Sequence, residues 1–442
     1  MRHERTIMAA GAAPLAGVRI IDLTRLGYGA QATALCGALG AEVIRIESRT
    51  RPDPVRVMPP FVRRPGETRQ TETGFAASWT ADMGFNRGGI FFKYNTGGKR
   101  SVALNLKHPR GMEVLRRLIA QADALTESFS AGALARMGLP WDELRRIKPN
   151  LVYVSMSGFG HVGRDRTHVT LGPTAQALSG LTYMLGLPGR PPAGWSFSYL
   201  DHMGGYLGAY AVLLGLRHRN RTGEGQHIDV AQIEPGIPLT GAIALDRQAN
   251  GRRYRRPDTP PGNRSPEPAM APHGAYRCAG DDEWITIVCR DDPEWHTLRH
   301  AMGDPAWARE PRFDTVSGRR AHEDELDRGV ESFTRLHGRY ALAEQLAAAG
   351  VPAAPVQNAR DRVDRDAHLQ ARGYFVPLPH SETGTWPLER PPFQLSESEV
   401  HAGGTIRRGP PCLGEDTHAV LRDILRLGDD EIRTLEDAGV LR

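Results

Sequence analysis

Three short runs in the first 160 residues, 18–23 (VRIIDL), 42–47 (EVIRIE) and 151–156 (LVYVSM), are rich in β-branched and apolar residues. Such runs read as strands buried on both faces, the pattern of a parallel sheet rather than of a half-exposed hairpin. Residues 31–39 between the first two form a small-residue helix closed by Gly40, so strand, helix and strand follow with short joins. That is a βαβ unit. The alternation continues: 101–106 is a strand, Pro109 opens a helix striped by Met112, Val114, Leu115, Leu118 and Ile119, 124–126 is a strand, and 141–146 is helical. The first 160 residues are therefore expected to build an α/β domain with a parallel sheet covered on both faces.

A chain of 442 residues exceeds one ordinary core, so two or three domains are expected. Residues 49–92, rich in Pro, Arg and Gly, read as a long loop near a site, because regular structure resumes on both sides. Apolar helices at 175–185 and 205–216 follow. The composition then shifts to Arg, His, Asn and Gly over 217–225, which suggests a boundary near 220. Hairpin strands at 275–277 and 284–289, then helices, make 221–349 a smaller α+β domain. Residues 350–442 read as a return to the large domain (14–220), with short strands and a late helix at 429–436.

Residues 1–13 faintly imitate a secretory signal, but the apolar part is short and alanine-rich, so a disordered tail is expected. No run approaches the ~20 apolar residues of a membrane span, and a cytoplasmic location is expected. The formal charge of +5 suits an anionic small ligand. No basic stripe interleaved with aromatics argues for nucleic acid. The four cysteines are scattered, with no C-x-x-C and no histidine pair at metal spacing, so neither a disulfide framework nor a metal site is expected. Cys36, in an apolar stretch, reads as packing rather than as a nucleophile.

Generic catalytic signatures are missing. The segment after the first strand is Thr24-Arg-Leu-Gly-Tyr-Gly29, not G-x-G-x-x-G, and 95–100 (NTGGKR) lacks the first glycine and the final hydroxyl of a P-loop. Lys99 and Arg100 end a glycine-bearing loop before a strand, which is either a seat for a phosphate or a charged turn. The block 127–136 (ESFSAGALAR) offers an aromatic, a helix start at Ser130 and Arg136, parts that suit an adenine beside a phosphate or an ordinary capped surface helix.

Several blocks taken in order are more specific: PLAGVRIIDLTRL at 14–26, LGAEVIRIES at 39–48, KRSVALNLKHPRG at 99–111, ESFSAGALARMGL at 127–139, VYVSMSGFG at 152–160, QALSGL at 176–181, TGEGQHIDVAQIE at 222–234, GVPAAPV at 350–356 and LGEDTHAVL at 413–421. In these the chain resembles the family III CoA-transferases, the CaiB/BaiF group, from about Pro14 to the C-terminus. The resemblance implies a Rossmann-like large domain built from both chain ends, a smaller α+β domain between them, and an interlocked dimer. It implies coenzyme A or acyl-CoA as substrate rather than a permanently bound cofactor, a carboxylic acid as the second substrate, and no metal. It places Lys99, Arg100 and Arg136 toward the CoA phosphates and Phe129 and Ala133 near the adenine, with Ser128 where relatives often carry Asn. Tyr28 stands in the Gly27-Tyr28-Gly29-Ala30 turn near the substrate. Tyr183, Trp195, Phe197 and Tyr199 are either an aromatic acyl pocket or plain core.

One departure matters. The family's nucleophilic aspartate falls, counted from either side without a gap, on Gly172. A carboxylate there attacks the thioester, forms a mixed anhydride and then carries CoA as an enzyme thioester, and glycine can do none of this. Asp165 in the same loop is a weak substitute. Asp201 reads as a helix cap, Glu127 as ordinary for its block, and His168 and His202 as conceivable bases. Three readings follow: the Asp-lacking subunit of a heteromeric transferase whose homologous partner supplies the Asp, a direct-transfer enzyme or acyl-CoA isomerase or lyase without a covalent intermediate, and a non-catalytic CoA-binding scaffold. A racemase of the α-methylacyl type is disfavoured, since its Asp also falls on Gly172.

Overall fold

The computed structural model describes residues 11–62, 79–186, 190–195, 197–255, 262–265 and 267–442. Most of the expected 1–13 tail and part of the 49–92 loop lie outside them. Six strands, β1 (Arg19–Leu23), β2 (Glu42–Glu47), β3 (Arg100–Ala103), β4 (Ala124–Glu127), β5 (Val152–Ser157) and β6 (Gln226–Ala231), form one sheet in the order β3-β2-β1-β4-β5-β6. Every pairing is parallel.

Alternate residues of each strand feed two cores. Ile21, Leu23, Ile44, Ile46 and Leu125 face the helix Pro109–Ala120 and two C-terminal helices, Thr417–Leu425 and Asp429–Asp437. Ile20, Val43, Val152, Val154 and Met156 face α1 (Tyr28–Ala38) and the long helix Tyr199–Thr222. That long helix approaches α1 closely because its contact stripe is glycine. A Cβ on Gly204 would lie 2.2 Å from the Tyr28 ring, and one on Gly208 would lie 2.5 Å from Sδ of Met156.

The chain divides into two compact units: 1–182, 194–241 and 367–442 make one, and 183–193 and 242–366 make the other. The larger unit takes residues from both ends of the chain, although the C-terminal stretch adds helices and a separate hairpin, not strands of the parallel sheet. The boundary expected near 220 falls too early, because β6 lies beyond it and pairs with β5 along its whole length. The return expected at 350 is also early. Ala353–Pro355 pairs with Trp284–Val288 as the third strand of the small unit's antiparallel sheet. That sheet packs on a core around Trp295, Phe313, Leu326 and Leu346.

Beneath the carboxyl edge of the parallel sheet lies a sealed ionic network. Arg45 is 1% exposed and pairs with Asp53, with Glu47 at 3.4 Å and with Asp22 at 3.6 Å. Arg56 pairs with Glu47 at 2.6 Å, and Lys99 with Asp22 at 3.3 Å. Burial pushes the Glu47 carboxyl up, but Arg56 and Arg45 outweigh it and hold it at about 2. Its stabilising contribution is therefore complete above its ordinary value of 4.5 and is lost as pH falls toward 2. Removing one partner of such a network strands its counter-charges. Arg45→Met should cost about 3–5 kcal/mol, whereas Arg100→Met, whose partner Glu42 is half-exposed, should cost about 0–1 kcal/mol. Thermal and urea unfolding of the two variants checks the contrast; equal losses would show that the network does not stabilise the fold.

Candidate active site

In an open parallel sheet, ligands bind beyond the carboxyl ends of the strands, where the strand order reverses. Here the chain runs outward from β1 through β2 to β3, then back to β4 on the other side of β1. A cavity of about 480 Å³ opens there. Arg25, Leu26, Gly27 and Tyr28 after β1, Ser128, Phe129 and Ser130 after β4, the end of β5 at Met156, Ser157 and Gly158, and Gln232 after β6 form its floor. Its walls are Val55, Met58, Ile90, Lys93 and Tyr94 on one side, and the segments 168–173 and 197–202 on the other.

The floor is tied down from below. Asp22 accepts hydrogen bonds from N and Oγ1 of Thr24 at 2.9 and 2.6 Å, and Leu26 N donates to Asp53 at 3.0 Å. Ser128 joins the two central loops: its Oγ accepts from Arg25 N at 2.9 Å and donates to Arg25 O at 3.2 Å. The Ser128 hydroxyl is thus engaged within the protein. Phe129 N donates to Glu127 at 2.6 Å, and Tyr153 Oη donates to the same carboxyl at 2.9 Å. Burial pushes Glu127 up to about 7.

Several expected site residues fall elsewhere. Lys99 is completely buried, and its ammonium is spent on Ala30 O at 2.8 Å, Asn95 Oδ1 at 3.1 Å and Asp22 at 3.3 Å. It has no face left for a phosphate, and burial, only partly offset by Asp22, brings it down to about 8. Arg100 turns to Glu42 at 2.8 Å, away from the cavity. Asp165 points out of its loop in a bidentate pair with Arg164 at 2.8 and 2.9 Å, so it is no substitute nucleophile. Tyr183 belongs to the smaller unit and is 51% exposed. Trp195 packs edge-to-face on Tyr199 with centroids 4.7 Å apart and stacks on Phe197 at 5.7 Å; of the three, only Phe197 lines the cavity. Ala133 and Arg136 stand on the short helix Ala133–Arg136 just beyond Ser130, with Arg136 exposed. Tyr28 does line the cavity, its hydroxyl donating to Val230 O at 3.2 Å.

Gly172 is at the wall, at the start of a helix (Gly172–Leu178) whose first turn meets the first turn of the long helix Tyr199–Thr222. A Cβ built on Gly172 would lie 2.4 Å from both Cβ and Oγ of Ser198. Ser198 has taken the space where a side chain at 172 would begin. The same Cβ would lie 3.1 Å from Oδ1 of Asp201, and one built on Gly27 would lie 3.0 Å from Oδ2. Asp201 is therefore held between two glycines, with Gln232 Nε2 donating to Oδ1 and Ser198 also bonded to it. Burial pushes its carboxyl up to about 6. The adjacent His202, whose ring stands 5.3 Å from Tyr94, is brought down by burial to about 4 and is neutral at pH 7. Arg25, Lys93, Gln232 and Asp201 were not singled out as lining residues by the sequence. The local signal for Asp201 is that of a helix first turn, which is also true of it. Among the described residues there is no cluster of His, Cys, Asp and Glu that could hold a metal, and no helix long and apolar enough to cross a membrane.

The model of CoA-transferase family III matches residues 15–417. The succinyl-CoA–L-malate CoA-transferase beta subunit of Chloroflexus aurantiacus is 31% identical over 437 residues, covering 97% of this chain and 98% of that one. The alpha subunit of the transferase of the same name from that organism is 28% identical, covering 97% and 92%. The crystal structure of a CaiB/BaiF family protein from Brucella suis superposes with a TM-score of 0.80 at 29% identity, covering 93% of this chain and all of that one.

The crowding at Gly172 has a direct consequence. Gly172→Ala should destabilise the chain by about 1–3 kcal/mol, the usual cost of overpacking, and Ser198→Gly should relieve most of that loss when the two are combined. Melting temperatures of the single and double variants measure the coupling; additive effects would mean that Ser198 does not occupy the vacated space.

Proposed function

The chain belongs to CoA-transferase family III, and we propose that it moves coenzyme A from an acyl-CoA donor to a carboxylic acid acceptor in the cavity at the β1/β4 switch point. The observation that carries this reading is the cavity itself: it joins cations, an apolar wall and a half-buried carboxylate at the place where such a sheet binds ligands. Arg25 and Lys93 offer positive charge for the anionic groups of CoA. Met58, Ile90, Val169, Leu171 and Phe197 offer apolar surface for the pantetheine arm and acyl chain. The nucleotide end would leave past Phe129 toward Ala133 and the exposed Arg136. Succinyl-CoA with L-malate is the first pair to assay, followed by acetyl-CoA and benzoyl-CoA with acetate and benzoate. Formation of the acceptor's thioester supports the reading; hydrolysis alone, or no turnover with any pair, contradicts it.

Coenzyme A affinity tests the same assignment residue by residue. Arg25→Gln and Lys93→Gln should each weaken binding about tenfold, the value of one charge-assisted hydrogen bond. Arg100→Gln should leave binding unchanged. Calorimetric titration with CoA checks all three, and an Arg100→Gln loss equal to the others would return the phosphates to the edge of the sheet.

Association with a second chain of the same fold is part of the proposal. The long helix exposes Tyr206, Leu207, Tyr210 and Leu214, the last three at 38%, 57% and 44%, in one row. Contiguous apolar rows of this kind are uncommon on monomers. The partner is a second copy or, as the similarity to subunits named alpha and beta suggests, a homologue carrying aspartate at the position of Gly172. Light scattering after size exclusion should give a dimer, and Tyr210→Glu with Leu214→Glu should dissociate it. A stable wild-type monomer at micromolar concentration would refute the association.

A further inference from the structure

We propose that a second, smaller cavity behind Lys93 is a site for a small carboxylate, and that its occupant competes with coenzyme A for the Lys93 ammonium. The competition rests on the CoA-transfer reading, which gives Lys93 a CoA contact; the site itself does not. The cavity holds about 40 Å³. It is lined by α1 residues including Gln31 and Leu35, by Lys93 and Thr96, and by Glu389 and Arg390 at the end of the C-terminal hairpin.

That hairpin pairs Phe375–His380 with Gly384–Glu389, and Arg390 N extends it by donating to Tyr374 O at 3.0 Å. The Arg390 backbone is thereby fixed, but its side chain is not satisfied. Nε and Nη2 are sealed from solvent and make no hydrogen bond among the described residues. Leaving such groups unpaired costs about 1–3 kcal/mol each. Burial and the like charge of Arg372 hold the guanidinium below its ordinary range, so an anion beside it is favoured. Nε and Nη2 are the two nitrogens through which a guanidinium takes a carboxylate side-on. Arg56 grips Glu47 in this way at 2.9 and 2.6 Å, and Arg164 grips Asp165 at 2.8 and 2.9 Å. Arg390 has the same fork with no acid in it. The residue is only half-buried, and turning its fork into the cavity it lines breaks no hydrogen bond.

Charge and size name the ligand class. The lining sets Lys93 and Arg390 against Glu389, a balance of one positive charge that suits a monoanion. The volume accepts about three or four water-sized groups, enough for formate or acetate and too little for a phosphate ester. Lys93 stands in the last turn of the helix Gly89–Tyr94 and lines both cavities. One ammonium cannot serve an acid beside Arg390 and an anionic group of CoA in the main cavity at once. Binding at the two places is therefore antagonistic, and by reciprocity each weakens the other by the same factor. That factor is bounded by the share of CoA binding that Lys93 supplies, about tenfold. Free acid released by transfer would thus restrain its own enzyme.

The test uses the whole protein at constant ionic strength, with chloride exchanged for formate, acetate or inorganic phosphate. Formate and acetate should raise the melting temperature saturably, and phosphate should not. Arg390→Gln should abolish that rise. In chloride it should melt no lower than wild type, because it removes an unpartnered buried charge; a lower melting temperature would show the guanidinium already satisfied within the fold and overturn the site. Calorimetric titration in saturating acetate should show CoA binding to wild type roughly three- to tenfold more weakly than in chloride, and equally in both for Arg390→Gln. Acetate acting as an acceptor in the main cavity would weaken CoA binding to Arg390→Gln as well, and that result overturns the proposal. So do a thermal rise retained by Arg390→Gln, a larger rise with phosphate, and a CoA affinity that acetate leaves unchanged. Failure of the wild type to bind CoA under any condition removes the transfer reading and the competition with it, while the melting series still decides the carboxylate site.

Discussion

Arg45 is the residue on which the architecture around the cavity most depends. Its guanidinium gathers Asp22, Glu47 and Asp53, three carboxylates that would repel one another in a dry interior. Each then has a second task. Asp22 shapes the turn after β1 through Thr24, Asp53 takes the amide of Leu26, and Glu47 anchors Arg56 in the loop that forms one wall. The ionic cluster lies under the site and fixes its floor. This is the use of buried charge that geometry favours: the cluster fixes one arrangement of loops, whatever its net contribution to stability.

That cluster also explains why Lys99 misleads. A lysine and an arginine after two glycines look like a phosphate seat in sequence. Gly97 and Gly98 instead let the loop press against the backbone of Ala34 and Gly403, which seals the ammonium against Asp22. Whether a cation meets solvent or a buried carboxylate is a tertiary fact. The strands of the first 160 residues were legible because they are mostly buried and short clusters of β-branched and apolar residues mark them. β6 was not, because Gln226–Ala231 is an edge strand that is only half-buried, and its polar alternation resembles the solvated helix end before it. The strand Ala353–Pro355 was misplaced for a related reason: three residues show no period, and only their pairing partner assigns them to a unit.

The glycine at 172 was legible in the sequence, and its surroundings were not. Counting along the chain singled out Gly172, and the structure puts it at the cavity wall. Nothing in that count reveals that Ser198 fills the space beside it, because Ser198 begins a helix that meets position 172 only after folding. Asp201 reads as a helix cap by its position, and its place between two glycines becomes visible only in three dimensions.

CoA transfer in the β1/β4 cavity requires the reacting thioester to lie there. A crystal structure with a bound acyl-CoA tests this most directly. The expected result is the thioester inside the cavity, beside Gly27 and Gly172, with the CoA phosphates at Arg25 or Lys93. A thioester bound elsewhere, or CoA phosphates at Arg100, would contradict it.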